Sequence, residues 1–397
     1  MKWSKIYIIC SFSILLISSC EGFLGKKTDL DFIEIPEYLP REVAYVPVEP
    51  VLEKYAKPID IIAGFDELIY IVNETTEEII SLDESGKELS RFQLEGVQSI
   101  AQDRKLDLLA IGTTDRKVGG NINKVTCIYR IDLHGDGNNY GLEYARIVDT
   151  IAHPLYFKST FSGSDNQVKF NKIAVLADNR FYVTRTGIDN NQQKVGGPDD
   201  AILLFDEDGT YLTPIIVNTP NGFFRDYFKK PTGISSFIQP PQISAGGPDH
   251  FVFTSLSENT SIKVQVIDYI ESDFGASYEP RILLDVDSSV ADGNLNTPER
   301  FSSPVSTLVT GDGTNFIFVL DQDKDSLFQF TVSGIEGVKP PVGSATSKYQ
   351  MASFGGLGDR LKQFNAPSAM AYKNKILWIC DTGNGRILRF KLTTDFQ

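Results

Sequence analysis

Short runs in which apolar residues alternate with other residues recur along most of the chain, and polar turns separate them. Runs of about five such residues are typical of β-strands. In the clearest example, apolar positions from Ile376 lead up to Asp381, stop at Gly383-Asn384-Gly385 and resume from Ile387 to Phe390. This pattern predicts a strand, a tight turn and a second strand. No stretch has the pattern of a long amphipathic helix.

The same unit can be read six times from Pro58 onward, and each copy contains two well-defined central strands. The predicted second strands are Leu68–Val72, Leu106–Ile111, Arg180–Thr184, His250–Thr254, Phe316–Leu320 and Ile376–Cys380. The predicted third strands are Glu78–Leu82, Val125–Ile131, Ala201–Phe205, Ile262–Ile267, Ser326–Phe330 and Arg386–Lys391. Repetition at this period indicates a repeat architecture. Six units of four antiparallel strands predict an all-β, six-bladed β-propeller.

The last copy carries a specific motif. Its residues run Gly355-Gly356-Leu357-Gly358, then Phe364-Asn365-Ala366-Pro367, then a strand that ends in Asp381-Thr382-Gly383-Asn384-Gly385-Arg386-Ile387. This order resembles the NHL repeat, whose pattern is G-x-G, F-x-x-P and an apolar strand ending in D-T-x-N-x-R-I. Copies at 58–94 and 301–334 are similar but lack the Asn-x-Arg. The resemblance implies a propeller and no single function.

The most typical residues of that motif, Asp381, Asn384 and Arg386, have structural roles by their chemistry. Asp381 is expected to cap the turn and Asn384 to adopt a left-handed backbone conformation. Arg386 is expected to lie along the neighbouring strand. We therefore do not assign these three residues to a functional site.

The N-terminus has the pattern of a targeting segment. Lys2 and Lys5 precede an apolar stretch from Ile6 to Ile17, which is shorter than the roughly 20 residues that span a bilayer. Leu16-Ile17-Ser18-Ser19-Cys20 follows and resembles a bacterial lipobox. The resemblance implies that residues 1–19 are removed and that Cys20 is lipidated, which gives a lipid-anchored envelope protein. An ordinary signal peptide or a short anchor is the alternative.

Composition narrows the function. Without the first twenty residues the chain retains 36 basic and 52 acidic residues, a net charge of −16, which argues against a nucleic-acid surface. Two cysteines, Cys127 and Cys380, remain within apolar strands, and we expect them to be buried free thiols.

The insertions define a predicted binding face. In a propeller, loops between strands 1 and 2 and between strands 3 and 4 lie on one face, here called face 1. Loops between strands 2 and 3 and between blades lie on the opposite face, called face 2. We predict that the long insertions gather on face 2: Gly112–Lys124, Thr186–Asp200, Ile151–Lys169, Pro214–Pro240, Asp287–Ser303 and Ser333–Gln363. Face 2 is therefore expected to bind a protein, small molecule or carbohydrate.

One insertion is rich in aromatic and basic residues. The candidate contact residues for a ligand or partner are Phe223, Phe224, Arg225, Tyr227 and Phe228. Aromatic side chains and arginine are enriched at binding hot spots. A lid packed over the channel mouth is the alternative role of this loop.

Catalytic and metal motifs are weak. His134 falls in a turn, whereas His153 and His250 could reach a central channel from different blades. Asp132, His134, Asp136 and Asn138, with Gly137 and Glu143 at the sixth and twelfth positions, superficially follow a calcium loop. The Asp-to-Gly turn that recurs in two other blades explains this segment better.

These patterns favour a non-catalytic ligand-binding, protein-binding or scaffold module that uses no metal or cofactor. The alternative is a metal-dependent propeller enzyme of the lyase or lactonase type, with one divalent ion in the central channel. We predict the domain organisation as a signal peptide at 1–19, a lipid-anchored tether and closing strand at 20–57 and a propeller at 58–397.

Closure of the ring is a separate prediction. Too few residues follow Leu392 for a fourth strand in the last blade, and an unpaired edge would be a liability. We therefore predict that a segment within Asp31–Val48 pairs antiparallel with Arg386–Lys391. Val43–Val46 is the first choice and Asp31–Ile35 the second.

Overall fold

The computed structural model describes residues 43–118, 120–153, 163–194, 197–242, 248–273, 275–283 and 286–396. The predicted signal peptide, Cys20 and the second-choice closing segment Asp31–Ile35 lie outside the described residues. No helix in the described ranges is long and apolar enough to cross a membrane.

Six antiparallel sheets form the blades, and each blade runs from a first strand at the centre to an outer fourth strand. Blade 1 contains β2 (Pro58–Ala63), β3 (Ile69–Asn73), β4 (Glu78–Leu82) and β5 (Glu88–Gln93). Blade 2 contains β6 (Ser99–Gln102), β7 (Leu108–Val118), β8 (Asn121–Asp132) and β9 (Arg146–Ala152). Blade 3 contains β10 (Lys169–Val175), β11 (Phe181–Thr186), β12 (Ala201–Phe205) and β13 (Tyr211–Pro214).

The remaining blades include one enlarged sheet and one sheet that joins the two ends of the propeller. Blade 4 contains β16 (Pro231–Ser236), β17 (Phe251–Ser255), β18 (Val264–Ser272) and β19 (Gly275–Pro280), extended outward by β14 (Val217–Thr219) and β15 (Gly222–Phe224). Blade 5 contains β20 (Pro304–Val309), β21 (Ile317–Asp321), β22 (Ser326–Phe330) and β23 (Phe354–Gly355). Blade 6 contains β24 (Ala369–Lys373), β25 (Ile376–Asp381), β26 (Arg386–Leu392) and β1 (Tyr45–Pro47). The predicted six-bladed propeller is confirmed.

Most second strands are buried along their length because each blade packs against a neighbour on both sides. All five residues of β3, β17 and β21 are buried. Six apolar clusters fill the spaces between adjacent blades. Burial of these apolar side chains stabilises the ring by about 1.5–3 kcal/mol for each fully buried side chain.

The ring closes as predicted. Tyr45, Val46 and Pro47 of β1 lie opposite Leu392, Lys391 and Phe390 of β26 in antiparallel register. Tyr45 and Val46 belong to the first-choice segment Val43–Val46, and Pro47 follows it directly. The closing segment continues beyond β1, because Leu52 forms a further antiparallel bridge to Ile387. The N-terminal strand therefore covers the edge that the short C-terminus leaves open.

Three predicted loops are placed differently by the structure. Gly112–Lys124 is largely a continuation of the β7–β8 hairpin, which stays paired out to Val118 and Asn121. Pro214–Pro240 contains β14, β15 and β16. The connection after β22 joins strands 3 and 4 of blade 5, so most of Ser333–Gln363 belongs to face 1. The expectation that the long insertions gather on face 2 is therefore wrong in part.

The NHL-like motif residues have structural roles. Asp381 accepts hydrogen bonds from the Asn365 N–H at 2.7 Å, the Asn384 side chain at 2.9 Å and Nε of Arg386 at 2.7 Å. Arg386 also donates to the carbonyl of Asp359 at 2.6 Å, so it fixes the interblade loop and does not lie along a strand. The left-handed residue of the turn is Gly385, with φ of 63°, and not Asn384 as expected.

Both cysteines of the propeller are buried free thiols, as predicted. Burial raises the pKa of Cys127 to about 11, and it raises the pKa of Cys380 well above its ordinary value. Each therefore acts as a small apolar side chain of the core.

Candidate functional site

A central channel runs between the two faces and is lined by the first strands of the blades. Near face 2 it contains a polar cavity of about 120 Å³ whose wall includes Ser99, Thr232 and Ser306. The middle cavity is only about 70 Å³ in volume. A wider cavity of about 330 Å³ opens at face 1. The largest of these three channel cavities therefore opens at face 1.

A buried ion pair crosses the channel near face 2. Nζ of Lys172 in β10 lies 2.5 Å from Oδ1 and 2.6 Å from Oδ2 of Asp60 in β2. The Ser99 hydroxyl and the Ile100 N–H of β6 donate to Oδ2 at 2.7 and 2.8 Å. The Asp60 side chain is 4% exposed and that of Lys172 is 20% exposed. This cluster links blades 1, 2 and 3.

The channel cluster does not fit a divalent metal. Calcium takes six to eight oxygen ligands, and magnesium is bound through carboxylates and water. Asp60 supplies the one carboxylate among the described residues that line the two inner cavities. Both of its oxygens accept hydrogen bonds from the ammonium group of Lys172. The ammonium group of Lys172 therefore already neutralises the Asp60 carboxylate and occupies the oxygen lone pairs that would coordinate a metal ion.

The two histidines considered for a channel metal lie elsewhere among the described residues. His153 is buried, and its Nε2 lies 3.3 Å from Nη1 of Arg185. Nδ1 of His250 accepts the N–H of Tyr269 at 2.9 Å. Burial, which outweighs the nearby carboxylate of Asp268, lowers the pKa of His250. Neither residue is part of the described channel wall.

The segment that resembles a calcium loop forms a hydrogen-bonded turn. Oδ1 of Asp132 accepts the backbone N–H of His134 at 2.9 Å, and Oδ2 accepts two N–H groups of Arg146. Asp107, Asp132 and His134 bring possible ligand atoms within 4.8 Å of one another. The segment is nevertheless not the Asp-to-Gly turn of the other two blades, because the Gly135 N–H donates to the carbonyl of Asn139 and not to that of Asp132, and His134 forms a bridge to Tyr140. The expectation of that turn is therefore wrong here, although the backbone and Arg146 engage both oxygens of Asp132.

The aromatic insertion forms an ordered hairpin at the outer edge of blade 4. β14 and β15 pair antiparallel, and Val217 of β14 forms a parallel bridge to Tyr278 of β19. Phe223 and Phe224 lie on β15, the last strand of this six-stranded sheet. Phe223 is 74% exposed and Phe224 is 37% exposed. The hairpin therefore presents two aromatic rings on a strand and not on an irregular loop.

The other three candidate residues support the hairpin. Phe228 is fully buried and packs 4.9 Å from the ring of Phe253, so its side chain belongs to the core. Tyr227 is partly buried, and its hydroxyl donates to Gln265 at 2.5 Å. Arg225 donates to the carbonyl of Gln192 at 3.1 Å. The structure thus brings the five candidates together but leaves Phe223 and Phe224 as the prominent exposed pair.

The channel cluster was not identified from the sequence, although a signal for it exists. Asp60 is a charged residue inside the otherwise apolar first strand β2, where a buried charge requires a partner, and Lys172 precedes the apolar end of β10. Their separation of 112 positions prevented their pairing from being read from the pattern.

Comparisons with known proteins support the fold alone. Neither the protein-family models nor the curated proteins gave a match. Among solved structures, the PQQ-bound aldose sugar dehydrogenase from Streptomyces coelicolor is 12% identical, with a TM-score of 0.51, and the match covers 89% of this chain and 99% of that one. A nutrient binding protein from Bacteroides ovatus is 13% identical, with a TM-score of 0.49 and coverage of 88% and 72%. Virginiamycin B lyase from Staphylococcus aureus is 13% identical, with a TM-score of 0.45 and coverage of 87% and 99%.

Proposed function

We propose that this chain is an NHL-like propeller lipoprotein of the bacterial envelope that binds a partner without catalysing a reaction. The observation that carries the proposal is the exposed pair Phe223 and Phe224 on an ordered edge strand. Exposed aromatic side chains on a rigid element favour binding because little conformational entropy is lost on contact. The partner is a protein or a carbohydrate.

The support beneath the pair argues for recognition. Phe228 anchors the segment in the core between blades 3 and 4, and Tyr227 is held by its hydrogen bond to Gln265. The hairpin itself is attached to β19 by the Val217–Tyr278 bridge and by the side chain of Asn218, which donates to Oε1 of Glu279 at 2.9 Å. Phe223 contributes little to packing because it is 74% exposed, so a role in binding accounts for it better.

The binding proposal is tested by the double substitution Phe223→Ala and Phe224→Ala, with capture of partners from envelope extracts and binding of soluble glycans as readouts. We expect binding to fall at least tenfold and the melting temperature to change little, because both side chains are partly or largely exposed. Phe396→Ala is the matched control, since Phe396 is 44% exposed but lies near the C-terminus. A double variant that melts far below the wild type and still binds would show that the pair only packs.

Lipid anchoring is proposed from the charged start, the apolar stretch and the position of Cys20. Cys20→Ala should yield an unprocessed precursor or release the protein from the membrane fraction. Several acyl chains anchor a protein stably where one chain does not. Unchanged processing and fractionation of this variant would contradict the lipoprotein proposal.

Absence of catalysis is proposed because the acid in the channel is already neutralised by Lys172. Elemental analysis of purified protein provides the test. One tightly held divalent ion per chain that survives dialysis, and that is lost in Asp60→Asn, would instead support the metal-dependent enzyme.

A further inference from the structure

The wide cavity at face 1 contains an arginine whose guanidinium has no acceptor. Arg104 lines this cavity of about 330 Å³, a size within the range of about 300–1,000 Å³ typical of small-molecule sites. Within the described ranges its guanidinium takes part in no ion pair or hydrogen bond, and its enclosed Nη1 has no partner. A guanidinium carries five donors, and leaving enclosed donors unsatisfied is costly. Its donors are therefore available to a ligand.

Arg104 is held in place before any ligand arrives. Its backbone N–H donates to Oδ1 of Asn179 in the next blade at 2.8 Å. Asp103 closes the same turn by accepting the N–H of Lys105 at 2.9 Å. The guanidinium lies over the ring of Phe65, with 5.4 Å between the guanidinium carbon and the ring centroid. This cation–π contact holds the guanidinium beside the cavity, and the planar fork of a guanidinium suits a two-oxygen acceptor.

Charges around the cavity limit the ligand to a small negative charge. Lys373 also lines the cavity, but its Nζ is 3.4 Å from a carboxylate oxygen of Glu84. Glu67 lies at the same wall and is exposed. Arg104 and Lys373 contribute two positive charges and Glu84 and Glu67 contribute two negative ones, so the four charges cancel, and the acidic chain as a whole repels polyanions. A monoanion fits this balance better than a dianionic phosphate.

The rest of the wall is apolar enough to hold a hydrophobic body. Phe65, Leu106, Pro240 and Pro241 contribute nonpolar surface to the cavity. We propose that the face-1 cavity binds a small monocarboxylate with an apolar body, whose carboxylate accepts hydrogen bonds from Arg104. This site is on the opposite face from the interblade connections and does not depend on the Phe223–Phe224 hairpin.

The test uses benzoate as the probe, with titration calorimetry and ligand-observed NMR on the full processed protein at low salt. Benzyl alcohol is the uncharged counterpart, and inorganic phosphate is the polyanion. We expect benzoate to bind at least tenfold more tightly than either compound, because charge-assisted bidentate hydrogen bonds are the stronger class. Arg104→Gln should weaken benzoate binding at least tenfold and leave the binding of benzyl alcohol unchanged.

Two control variants keep the test decisive. Arg360→Gln removes an exposed arginine outside the cavity and should leave benzoate affinity unchanged. Phe223→Ala with Phe224→Ala should also leave it unchanged, which separates this site from the proposed partner site. The proposal would be overturned if wild type and Arg104→Gln bound benzoate with equal affinity. It would also be overturned if the wild type bound no benzoate at a concentration of about 10 mM, well above a dissociation constant of about 1 mM. If Arg104→Gln fails to fold, Arg104→Lys, which keeps the charge but loses the planar fork, should lower benzoate affinity severalfold.

Discussion

Removing one partner of the channel ion pair should destabilise the propeller strongly. In Lys172→Met the carboxylate of Asp60 keeps hydrogen bonds from Ser99, Ile100 and Ile61 but loses the opposite charge. Breaking a buried pair in this way costs about 3–5 kcal/mol. Because the Lys172 side chain is 20% exposed, we expect the lower end, about 3 kcal/mol.

Urea unfolding followed by tryptophan fluorescence measures this loss. With a slope of about 3 kcal/mol per M, a loss of about 3 kcal/mol lowers the midpoint by about 1 M. Lys105→Met is the matched control, because Lys105 pairs with Glu207 at 2.9 Å with both side chains about half exposed. Such a surface pair contributes about 0–1 kcal/mol.

A double-mutant cycle isolates the pairing itself. Asp60→Asn with Lys172→Met removes both charges, and we expect it to be more stable than Lys172→Met alone, since replacing both members of a buried pair is often nearly neutral. The reasoning would be refuted if Lys172→Met unfolded within about 0.5 kcal/mol of the wild type, which is the range of ordinary surface substitutions.

Three further measurements test other parts of the structure. Tyr45→Ala should cost about 3–5 kcal/mol in urea unfolding, because Tyr45 is 3% exposed in the closing strand, whereas Leu89→Ala at an exposed site should change stability by less than about 0.5 kcal/mol. Burial raises the pKa of Asp132, but hydrogen bonds from His134 and Arg146 offset this and lower it from 3.8 to about 2. Its carboxylate therefore stabilises the fold above about pH 4, and this contribution is lost as the pH falls from about 4 to about 2. Asp132→Asn should be less stable than wild type at pH 7 by at most about 1 kcal/mol, and the two proteins should be equally stable near pH 2. Cys127 and Cys380 should resist a thiol reagent at pH 8 until urea unfolds the protein, in a variant lacking residues 1–20 and hence Cys10 and Cys20; a pKa of about 11 leaves about one Cys127 thiol in a thousand ionised.

The strands that the sequence predicts best are those whose pattern is local. Glu78–Leu82, Ala201–Phe205 and Ser326–Phe330 lie at their predicted positions because apolar residues between turn signals define a strand without reference to the rest of the chain. Ring closure was also predictable, since an unpaired edge in blade 6 required a partner and β1 was the best available segment.

The features that were misplaced depend on pairing partners that the local pattern does not reveal. The residues of Gly112–Lys124 are polar and looked like a loop, yet hydrogen bonding along the β7–β8 ladder needs no apolar face. β16 was hidden because Pro231, Thr232 and Gly233 interrupt apolar alternation at its start. The blade 4 hairpin attaches through a single parallel bridge to β19, which only the assembled fold specifies.

The chemistry of this propeller depends on which side chains the first strands turn into the channel, because the fold itself is compatible with many activities. Here β2 contributes Asp60 and β10 contributes Lys172, and the two side chains form an ion pair. An unpaired carboxylate at the same position could bind a cation or act on a substrate. A middle cavity of about 70 Å³, which Lys172 also lines, lies between this pair and the wider cavity at face 1. A ligand bound beside Arg104, as proposed, would therefore meet Phe65, Leu106 and the two prolines and would lie apart from the Asp60 carboxylate. The ion pair that stabilises the ring therefore supports the proposed binding function.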